Sequence, residues 1–311
     1  MPKLTIHNSP TIQKAFDSFL MSKSCEGVTN KTLSTYEGHL RCISKHLNIF
    51  LLLSELEERD LQLMIISMRR SGLAPNSIAS YIRTFKSFLT WARSRDLTTV
   101  SLPQYKAEET VKTTYTDEEL EILLQKPNLS SCSFAEYRDW VIINFLMNSG
   151  ARSSTIREIL IKDVDLKTGL LTYRHNKNHK VQAIPLCSRM ISILAEYLHY
   201  REGSANDFLF CAENGDKLSE QGLKTSIKRY NLRRGVTKTS IHLFRHTFAR
   251  KYLVDCDGDA FTLQTILGHS TLDMTKHYCN IYNVELAKTF DLHSPLQQMI
   301  PKGKKIRLRK K

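Results

Sequence analysis

The length and composition of the chain set the first limits on its class. It has 311 residues, 41% of them hydrophobic, and 45 lysines and arginines outweigh 31 aspartates and glutamates to give a formal net charge of +14. This length suits about two domains, and this hydrophobic content excludes a largely disordered polar chain. The positive charge favours a polyanionic partner, with nucleic acid ahead of a membrane surface.

The cysteines and the apolar runs narrow the class further. Seven cysteines are scattered without a C-x-x-C pair, which predicts neither a zinc site nor a disulfide framework. The first ten residues lack the apolar core of a signal peptide, and apolar runs such as residues 49–53 are too short to span a bilayer. We therefore expect a cytoplasmic protein with reduced thiols and no membrane segment.

The first third of the chain has the apolar spacing of four amphipathic helices. Pro10 suits the first turn of the first helix, and the second helix is expected from Thr32 to about Leu47. Ser54 is a candidate cap for the third helix, with Gly72 just beyond its end. The fourth helix opens at Pro75. Together these segments predict a helical bundle.

The predicted bundle has a basic edge and is followed by a break. Arg83 and Lys86 lie off the apolar side of the fourth helix and are candidate DNA contacts, although a solvated face explains either residue equally well. Thr116 and Glu119 form a capping box that starts a new helix after an aperiodic stretch rich in threonine and lysine. We expect a bundle domain at 1–100, a linker at 101–112, a second domain at 113–300 and a basic tail at 301–311.

The second predicted domain mixes helices with one β-hairpin. A strongly apolar helix is expected at Tyr137–Met147, ending before Gly150. Strand-like segments at 170–173 and 181–186 flank a turn and predict the hairpin. The remaining elements are expected to be a helix at 188–200, a short strand at 207–210 and a basic helix at 223–234.

One candidate site stands out near the end of the chain. Its residues are His242, Arg245, His246, His269 and Tyr278. His242 and Arg245 share a helical face, and Gly268 can end a helix just before His269. Cationic and imidazole donors beside a tyrosine suit the task of holding phosphodiester oxygens while a phenolate attacks phosphorus. Each residue alone is more often structural, so the inference depends on their order and spacing.

This order resembles a known family motif. The pattern H-x-x-R-H, then L-G-H, then a tyrosine nine residues later resembles the C-terminal motif of the tyrosine recombinases, which include phage integrases, Cre and the Xer recombinases. Upstream, the family's G-x-R-x-x-E turn matches Gly150 to Arg152, which implies that Arg152 is catalytic. The family's supporting acid is absent because Thr155 occupies its position, and Glu158, the nearest acid, would lie on another helical face.

The resemblance also implies a catalytic lysine on the hairpin. In integrases and Xer proteins this lysine lies eight residues before the proline of I-P-L, and counting back from Pro185 gives Lys177. Lys180 is the runner-up for that role and is also a candidate DNA contact.

The implied fold is mainly α with a small antiparallel β-sheet (α+β). In the family, an N-terminal helical core-binding domain and a catalytic domain form a C-shaped clamp on duplex DNA. The implied reaction is transesterification, in which Tyr278 attacks a phosphodiester to give a 3′-phosphotyrosine and a free 5′-hydroxyl. Neither a metal nor another cofactor is implied, because the phosphotyrosine conserves the energy of the broken bond.

The resemblance gives each site residue a role in that reaction. Arg152 and Arg245 would grip the phosphate oxygens, and His269 would donate a further hydrogen bond. Lys177 would protonate the leaving 5′-oxygen, and His242 would assist as an acid or a base. His246 would support the site from behind the residues that contact the phosphate.

The implied partners are DNA and further copies of the chain. We expect binding to double-stranded core-type recombination sites as a homo-tetramer on two sites, with an accessory DNA-bending factor as a further candidate. Because few residues precede the first predicted helix, we expect no additional N-terminal DNA-binding domain. The apolar segment from Val284 to Met299 is open to docking on a neighbouring subunit or on its own domain.

Several functions fit these expectations. We favour a nucleoid-associated integrase that integrates and excises a mobile element. The alternatives are an Xer-like resolvase of chromosome or plasmid dimers, a type IB topoisomerase-like enzyme, and a DNA-binding protein with a decayed site. The last is disfavoured because both arginines, both key histidines and the tyrosine are all present.

Overall fold

The computed structural model of the protein describes residues 9–106, 113–174, 181–269 and 271. The chain divides into two compact units, Met1–Thr110 and Val111–Lys311. Within the described ranges, no helix is long and apolar enough to cross a membrane.

The N-terminal unit is helical, as its apolar spacing predicts. Its helices are α1 at Ile12–Cys25, α2 at Asn30–Ile43, α3 at Glu58–Arg70 and α4 at Pro75–Arg93. Their apolar faces surround an aromatic cluster in which the ring of Phe88 lies 5.1 Å from that of Phe16 and 5.4 Å from that of Phe85. All three rings are fully buried.

Two helix starts differ from the sequence-based prediction. Pro10 lies outside α1, because the Thr11 side chain caps the helix by accepting from the backbone N–H of Lys14. Ser54 does not cap α3, because Glu57 and Asp60 form a reciprocal capping box three residues further on. The predicted second helix also ends early at Ile43.

The C-terminal unit combines seven α-helices and one 3-10 helix with three short strands in the described residues. Its elements are α5 at Asp117–Leu124, α6 at Phe134–Ser149, α7 at Ser153–Ile156, β1 at Val164–Asp165, β2 at Leu170–Tyr173, β3 at Gln182–Pro185, α8 at Ser188–Arg201, α9 at Glu220–Arg233, α10 at Ile241–Val254 and α11 at Ala260–Leu267. The predicted capping box of Thr116 and Glu119 starts α5. The almost wholly buried α6 packs against α5, α8, α9 and α10 and forms the centre of this unit.

The strands form one antiparallel sheet in the order β1-β2-β3. In the predicted hairpin, Leu170 pairs with Pro185 and Tyr173 pairs with Gln182. The sequence does not predict β1, which is only two residues long.

The predicted strand at 207–210 is wrong. Phe208 makes only an isolated bridge to Leu160. The guanidinium of Arg201 donates to the Phe208 carbonyl at 3.0 and 3.2 Å. Backbone pairing with residues 159–161 is limited to the two hydrogen bonds that flank this bridge, from the N–H of Ile161 to the Asp207 carbonyl at 2.9 Å and from the N–H of Leu209 to the Ile159 carbonyl at 2.8 Å. The carbonyl of Phe208 itself is occupied by a side chain, and the apolar residues Leu209 and Phe210 are buried in the core.

Candidate active site

Two helix C-termini meet at the side chain of Arg245. Helix α6 ends at Gly150 and α11 ends at Gly268, and both glycines are left-handed, with φ values of 58° and 61°. Arg245, on α10, is only 7% exposed. Its Nη1 donates to the Gly150 carbonyl at 2.8 Å and its Nη2 donates to the Leu267 carbonyl at 3.0 Å. The negative ends of both helices therefore hold the guanidinium group.

Arg152, which lies far from Arg245 in the sequence, contacts the same turn at the end of α11. It is the N-cap residue of α7, two residues after Gly150, and is half-buried. Its guanidinium nitrogens lie 3.4 Å from the Leu267 carbonyl oxygen and 3.5 Å from that of Gly268. The end of α11 thus brings together the two arginines that the sequence places 93 positions apart.

The end of α11 also fixes the position of His269. The N–H of His269 donates to the Gln264 carbonyl at 3.0 Å, and the N–H of Gly268 donates to the Thr265 carbonyl at 3.1 Å. These two bonds are those of a Schellman motif, in which a left-handed residue ends the helix. The confirmed role of Gly268 as a helix terminator therefore sets where the imidazole ring begins.

His269 and Arg245 are joined by a hydrogen bond. The Nε2 atom of His269 lies 2.8 Å from Nη2 of Arg245. Because a guanidinium group has donors and no acceptor, Nε2 accepts this bond and the proton of the neutral ring resides on Nδ1. The ring can therefore act as a donor through Nδ1.

The environment keeps this imidazole neutral. Burial, followed by the positive charges of Arg245 and Arg152, lowers the pKa of His269 from 6.5 to about 4. Near pH 7 the cluster therefore contains two guanidinium cations and one neutral imidazole. Such a group can bind an oxyanion through charge-assisted hydrogen bonds.

The other predicted histidines lie on α10. His242 is exposed in the first turn of the helix, one turn before Arg245. His246 is half-buried and directly follows Arg245. Lys177, Lys180 and Tyr278 lie outside the described residues.

The structure also describes Thr155, which occupies the position of the family's supporting acid. Thr155 is buried at 6% exposure. Glu158 accepts from Lys217 at 2.6 Å, so its carboxylate serves a different ion pair. In the N-terminal unit, Arg83 and Lys86 are both exposed on α4, one turn apart.

Sequence reasoning missed the groups that hold the arginines. These are main-chain carbonyls of residues 150, 267 and 268, which no residue type marks. It also missed Gln182, whose side chain donates to the end of α11. Among the described residues, no group of three or more histidine, cysteine or carboxylate side chains could hold a metal ion.

Comparison with family models decides the identity of the fold and its chemistry. The model of the phage integrase family matches residues 113–284, which is more than half of the chain, and the phage integrase N-terminal SAM-like domain matches residues 14–96. The chain belongs to the phage integrase family. It is a tyrosine recombinase, a site-specific enzyme that cuts and rejoins DNA. The family predicted from the motif order is confirmed.

Curated relatives extend over most of this integrase-family chain. Tyrosine recombinase XerD of Staphylococcus epidermidis is 26% identical over 282 residues, which cover 87% of this chain and 94% of the relative. Tyrosine recombinase XerC of Proteus mirabilis is 25% identical over 293 residues, covering 92% and 95%.

Solved structures share the fold at lower identity. The Tn1549 transposon integrase in complex with a circular intermediate DNA has a TM-score of 0.74 at 19% identity, covering 90% of this chain and 100% of that chain. The lambda integrase tetramer bound to a Holliday junction has a TM-score of 0.70 at 19% identity, covering 88% and 78%. The predicted mainly helical fold with a small antiparallel sheet is confirmed.

Proposed function

We propose that Arg152, Arg245 and His269 bind the scissile phosphate and that Tyr278 is the nucleophile. The observation that carries this proposal is the convergence of both guanidinium groups and a neutral imidazole on the last turn of α11. Two fixed cations suit the extra negative charge of a pentacoordinate phosphorus, since they lie ready in place before the reaction.

The proposed reaction conserves the number of phosphate ester bonds. The Tyr278 oxygen forms a bond to phosphorus, and the bond from phosphorus to the 5′-oxygen breaks. Lys177 supplies the proton to that leaving oxygen, with Lys180 as the alternative donor. His242 is the candidate base for the phenol proton, because it is exposed on α10 one turn before Arg245. His269 donates through Nδ1, and His246 supports α10 without contacting phosphate.

The biological reaction that we favour is integration and excision of a mobile element. The likeness to the Tn1549 transposon integrase supports this assignment. We propose a homo-tetramer on two core-type sites, assisted by a DNA-bending factor, in the cytoplasm and on the nucleoid. The lambda integrase tetramer on a Holliday junction supports that stoichiometry. Residues 1–100 would be the core-binding domain, with Arg83 and Lys86 contacting DNA.

An Xer-like resolvase is the second candidate, because curated relatives are named XerC and XerD. The two functions differ in their products. An integrase should join an excised circle to a linear target, whereas a resolvase should convert a plasmid dimer with two direct sites into monomers. A type IB topoisomerase-like enzyme would relax supercoils without exchanging strands between sites.

Trapping of the covalent adduct tests the proposed nucleophile. On nicked suicide DNA, Tyr278→Phe should abolish the protein–DNA adduct and leave DNA binding nearly intact. Tyr282→Phe is the matched control, since it removes the same hydroxyl four residues later in the sequence, and it should retain the adduct. Adduct formation by Tyr278→Phe would overturn the assignment of the nucleophile.

The arginine cluster is tested in the same assay. Arg245→Lys keeps a positive charge but cannot reach both helix ends with a planar fork. Cleavage should fall by about 10²–10³-fold, the usual effect of removing one transition-state donor. Wild-type cleavage by Arg245→Lys would show that this cluster does not bind the reacting phosphate.

A further inference from the structure

One side chain joins the hairpin strand β3 to the end of α11. The Nε2 atom of Gln182 donates to the Thr265 carbonyl at 2.5 Å and to the Ile266 carbonyl at 3.0 Å. Gln182 is half-buried and is the first residue of β3. Its contact is remote in sequence and reaches the helix that precedes His269.

Each of the last four carbonyls of α11 has a hydrogen-bond donor. A helix leaves its last four carbonyls without intrahelical partners. The Schellman bonds supply donors to the first two of these, and Gln182 adds a second donor to Thr265 and the donor for Ile266. Arg245 and Arg152 supply donors to Leu267. The turn is therefore held by the two arginines and by Gln182, which bind different carbonyls of it.

The other end of the glutamine amide fits closely against Gly268. A Cβ atom added to Gly268 would lie 2.8 Å from Oε1 of Gln182. The amide therefore lies against the left-handed residue that turns the chain into His269. This close packing, together with two hydrogen bonds to successive carbonyls, makes Gln182 a specific support for the turn.

The opposite strand of the hairpin has an anchor of its own. Arg174 follows β2, and its Nε donates to Asp163 at 2.5 Å. Asp163 is buried, and its second carboxylate oxygen accepts from the N–H of Leu160 at 2.9 Å. The base of the hairpin is thus fastened to the segment after α7 by Arg174 and to α11 by Gln182.

We propose that Gln182 is a positioning residue for recombination, which holds the turn that presents His269 and receives the two arginines. This inference rests on the proposed function of that turn as the phosphate-binding site. Gln182 contacts neither phosphate nor the reacting atoms in this scheme. It acts through the backbone of residues 265–268, whose carbonyls set where the imidazole and guanidinium groups lie.

The side-chain chemistry predicts which replacements fail. Gln182→Met keeps the approximate length and volume but removes both donors. Gln182→Glu keeps the shape but places a carboxylate against the negative end of α11, which adds repulsion to the loss of the donors. Gln182→Lys retains a donor, and a cation near a helix C-terminus is favourable. We therefore expect Gln182→Lys to cleave fastest of the three variants, Gln182→Met more slowly and Gln182→Glu most slowly.

The experiment combines single-turnover cleavage with an NMR titration of His269 in the full-length chain. In Gln182→Met, cleavage of saturating suicide DNA should slow on the order of 10²-fold, the effect of small misplacements of catalytic groups. Without DNA, the His269 titration midpoint should move from about 4 toward 6.5, as the ring separates from the arginines. Gln125→Met is the matched control, because Gln125 is exposed at the end of α5, and it should change neither readout.

The outcomes separate this inference from the proposed function. Wild-type cleavage and a wild-type His269 midpoint in Gln182→Met would overturn the positioning role. If Gln182→Met does not fold, Gln182→Lys and Gln182→Glu supply the same comparison, and equal rates for those two would overturn it. An adduct formed by Tyr278→Phe would instead overturn the nucleophile, while the His269 midpoint would still report on Gln182.

Discussion

The two units of the chain build their cores from different materials. In the described residues, the N-terminal unit buries one polar side chain, Thr84, whereas the C-terminal unit buries nine, including Arg138, Asp139 and Arg245. An apolar core gains stability from burial in any well-packed arrangement. A buried charge instead requires specific partners at hydrogen-bond distance. The core of the bundle should therefore tolerate changes in packing, whereas the core of the C-terminal unit requires one specific arrangement of its buried polar groups.

The buried pair of Arg138 and Asp139 illustrates this requirement for specific partners. Arg138 donates to Asp139 at 2.7 Å, to the Cys211 carbonyl at 2.8 Å and to the Ser226 hydroxyl at 2.8 Å. Burial raises the pKa of Asp139, against the lowering effect of Arg138 and Ser226. Desolvation thus opposes the ion pair, and removal of either partner leaves the other charge exposed to the full cost of burial.

The largest expected effect comes from breaking this pair. Arg138→Met should lower the free energy of unfolding of the C-terminal unit by about 3–5 kcal/mol, because the Asp139 charge stays buried without its partner. The chain has two tryptophans, and Trp140 reports on this unit in urea unfolding of a Trp91→Phe background. The double variant Arg138→Met/Asp139→Asn removes the charge as well and should recover most of the loss. An equal loss in both variants would show that lost packing, not an unpaired charge, is responsible.

The bundle should respond to volume and not to charge. Phe88→Ala removes the ring at the centre of the aromatic cluster and should lower the free energy of unfolding of the N-terminal unit by about 3–5 kcal/mol. Trp91 reports on this unit in a Trp140→Phe background. Phe88→Leu is the control and should recover much of the loss. A loss under 1 kcal/mol for Phe88→Ala would contradict the apolar account of this core.

The next effect depends on pH and concerns His269. The unfolded imidazole binds a proton near pH 6.5 and the folded one only near pH 4, so the unfolded state binds more protons between these values. The contribution of His269 is therefore complete above pH 6.5 and is lost as the pH falls toward 4. His269→Gln should flatten the stability of the C-terminal unit in this window, measured by urea unfolding at pH 5 and pH 7.

A second prediction separates the effect of nearby charges on the pKa of His269 from the effect of burial. Arg152→Gln should raise the pKa of His269, because it removes one of the two nearby cations. His39 in the bundle is the control, since burial alone lowers its pKa. NMR titration should show a shift for His269 and none for His39. Equal titration midpoints for His269 in the wild type and in Arg152→Gln would show that the charge of Arg152 does not affect the pKa of His269.

The smallest expected effect should be equal in the two units. Thr29 caps α2 and Thr116 caps α5, each by accepting a backbone N–H. Replacing either residue with alanine should cost about 1 kcal/mol of its own unit. Thr225→Ala, at an exposed position of α9, should change stability by less than about 0.5 kcal/mol. A much larger loss at Thr116 than at Thr29 would mean that the contrast between the units extends beyond their cores.

The same contrast explains what could be predicted from the sequence. Apolar spacing locates α1 to α4. Pro75 correctly marks the start of α4, and the capping box of Thr116 correctly marks the start of α5. The prediction at Ser54 failed because serine is a common N-cap residue and its presence alone does not fix where a helix begins. The actual N-cap of α3 is Glu57, in a capping box with Asp60. The motif order places Arg245 and His269 together correctly, because both lie near one short helix.

The remainder of the site could not be predicted because main-chain atoms build it. The arginines are held by carbonyls, and a carbonyl belongs to every residue type. The support from Gln182 depends on the register of β3 against α11, which residue spacing along the chain does not specify. The failed strand at 207–210 has a similar origin, since Arg201 binds the carbonyl of Phe208.

The two left-handed glycines restrict how the gene for this site can vary. Every missense change at either codon adds a Cβ atom. At Gly150 that atom would lie 2.5 Å from the ring of Phe248 and 2.6 Å from a methyl group of Leu267. At Gly268, where φ is 61°, it would lie 2.8 Å from Oε1 of Gln182, whose Nε2 is bonded to α11. A mutant library that diversifies this region should therefore recover glycine at both codons, whichever DNA sequence it is selected to recombine.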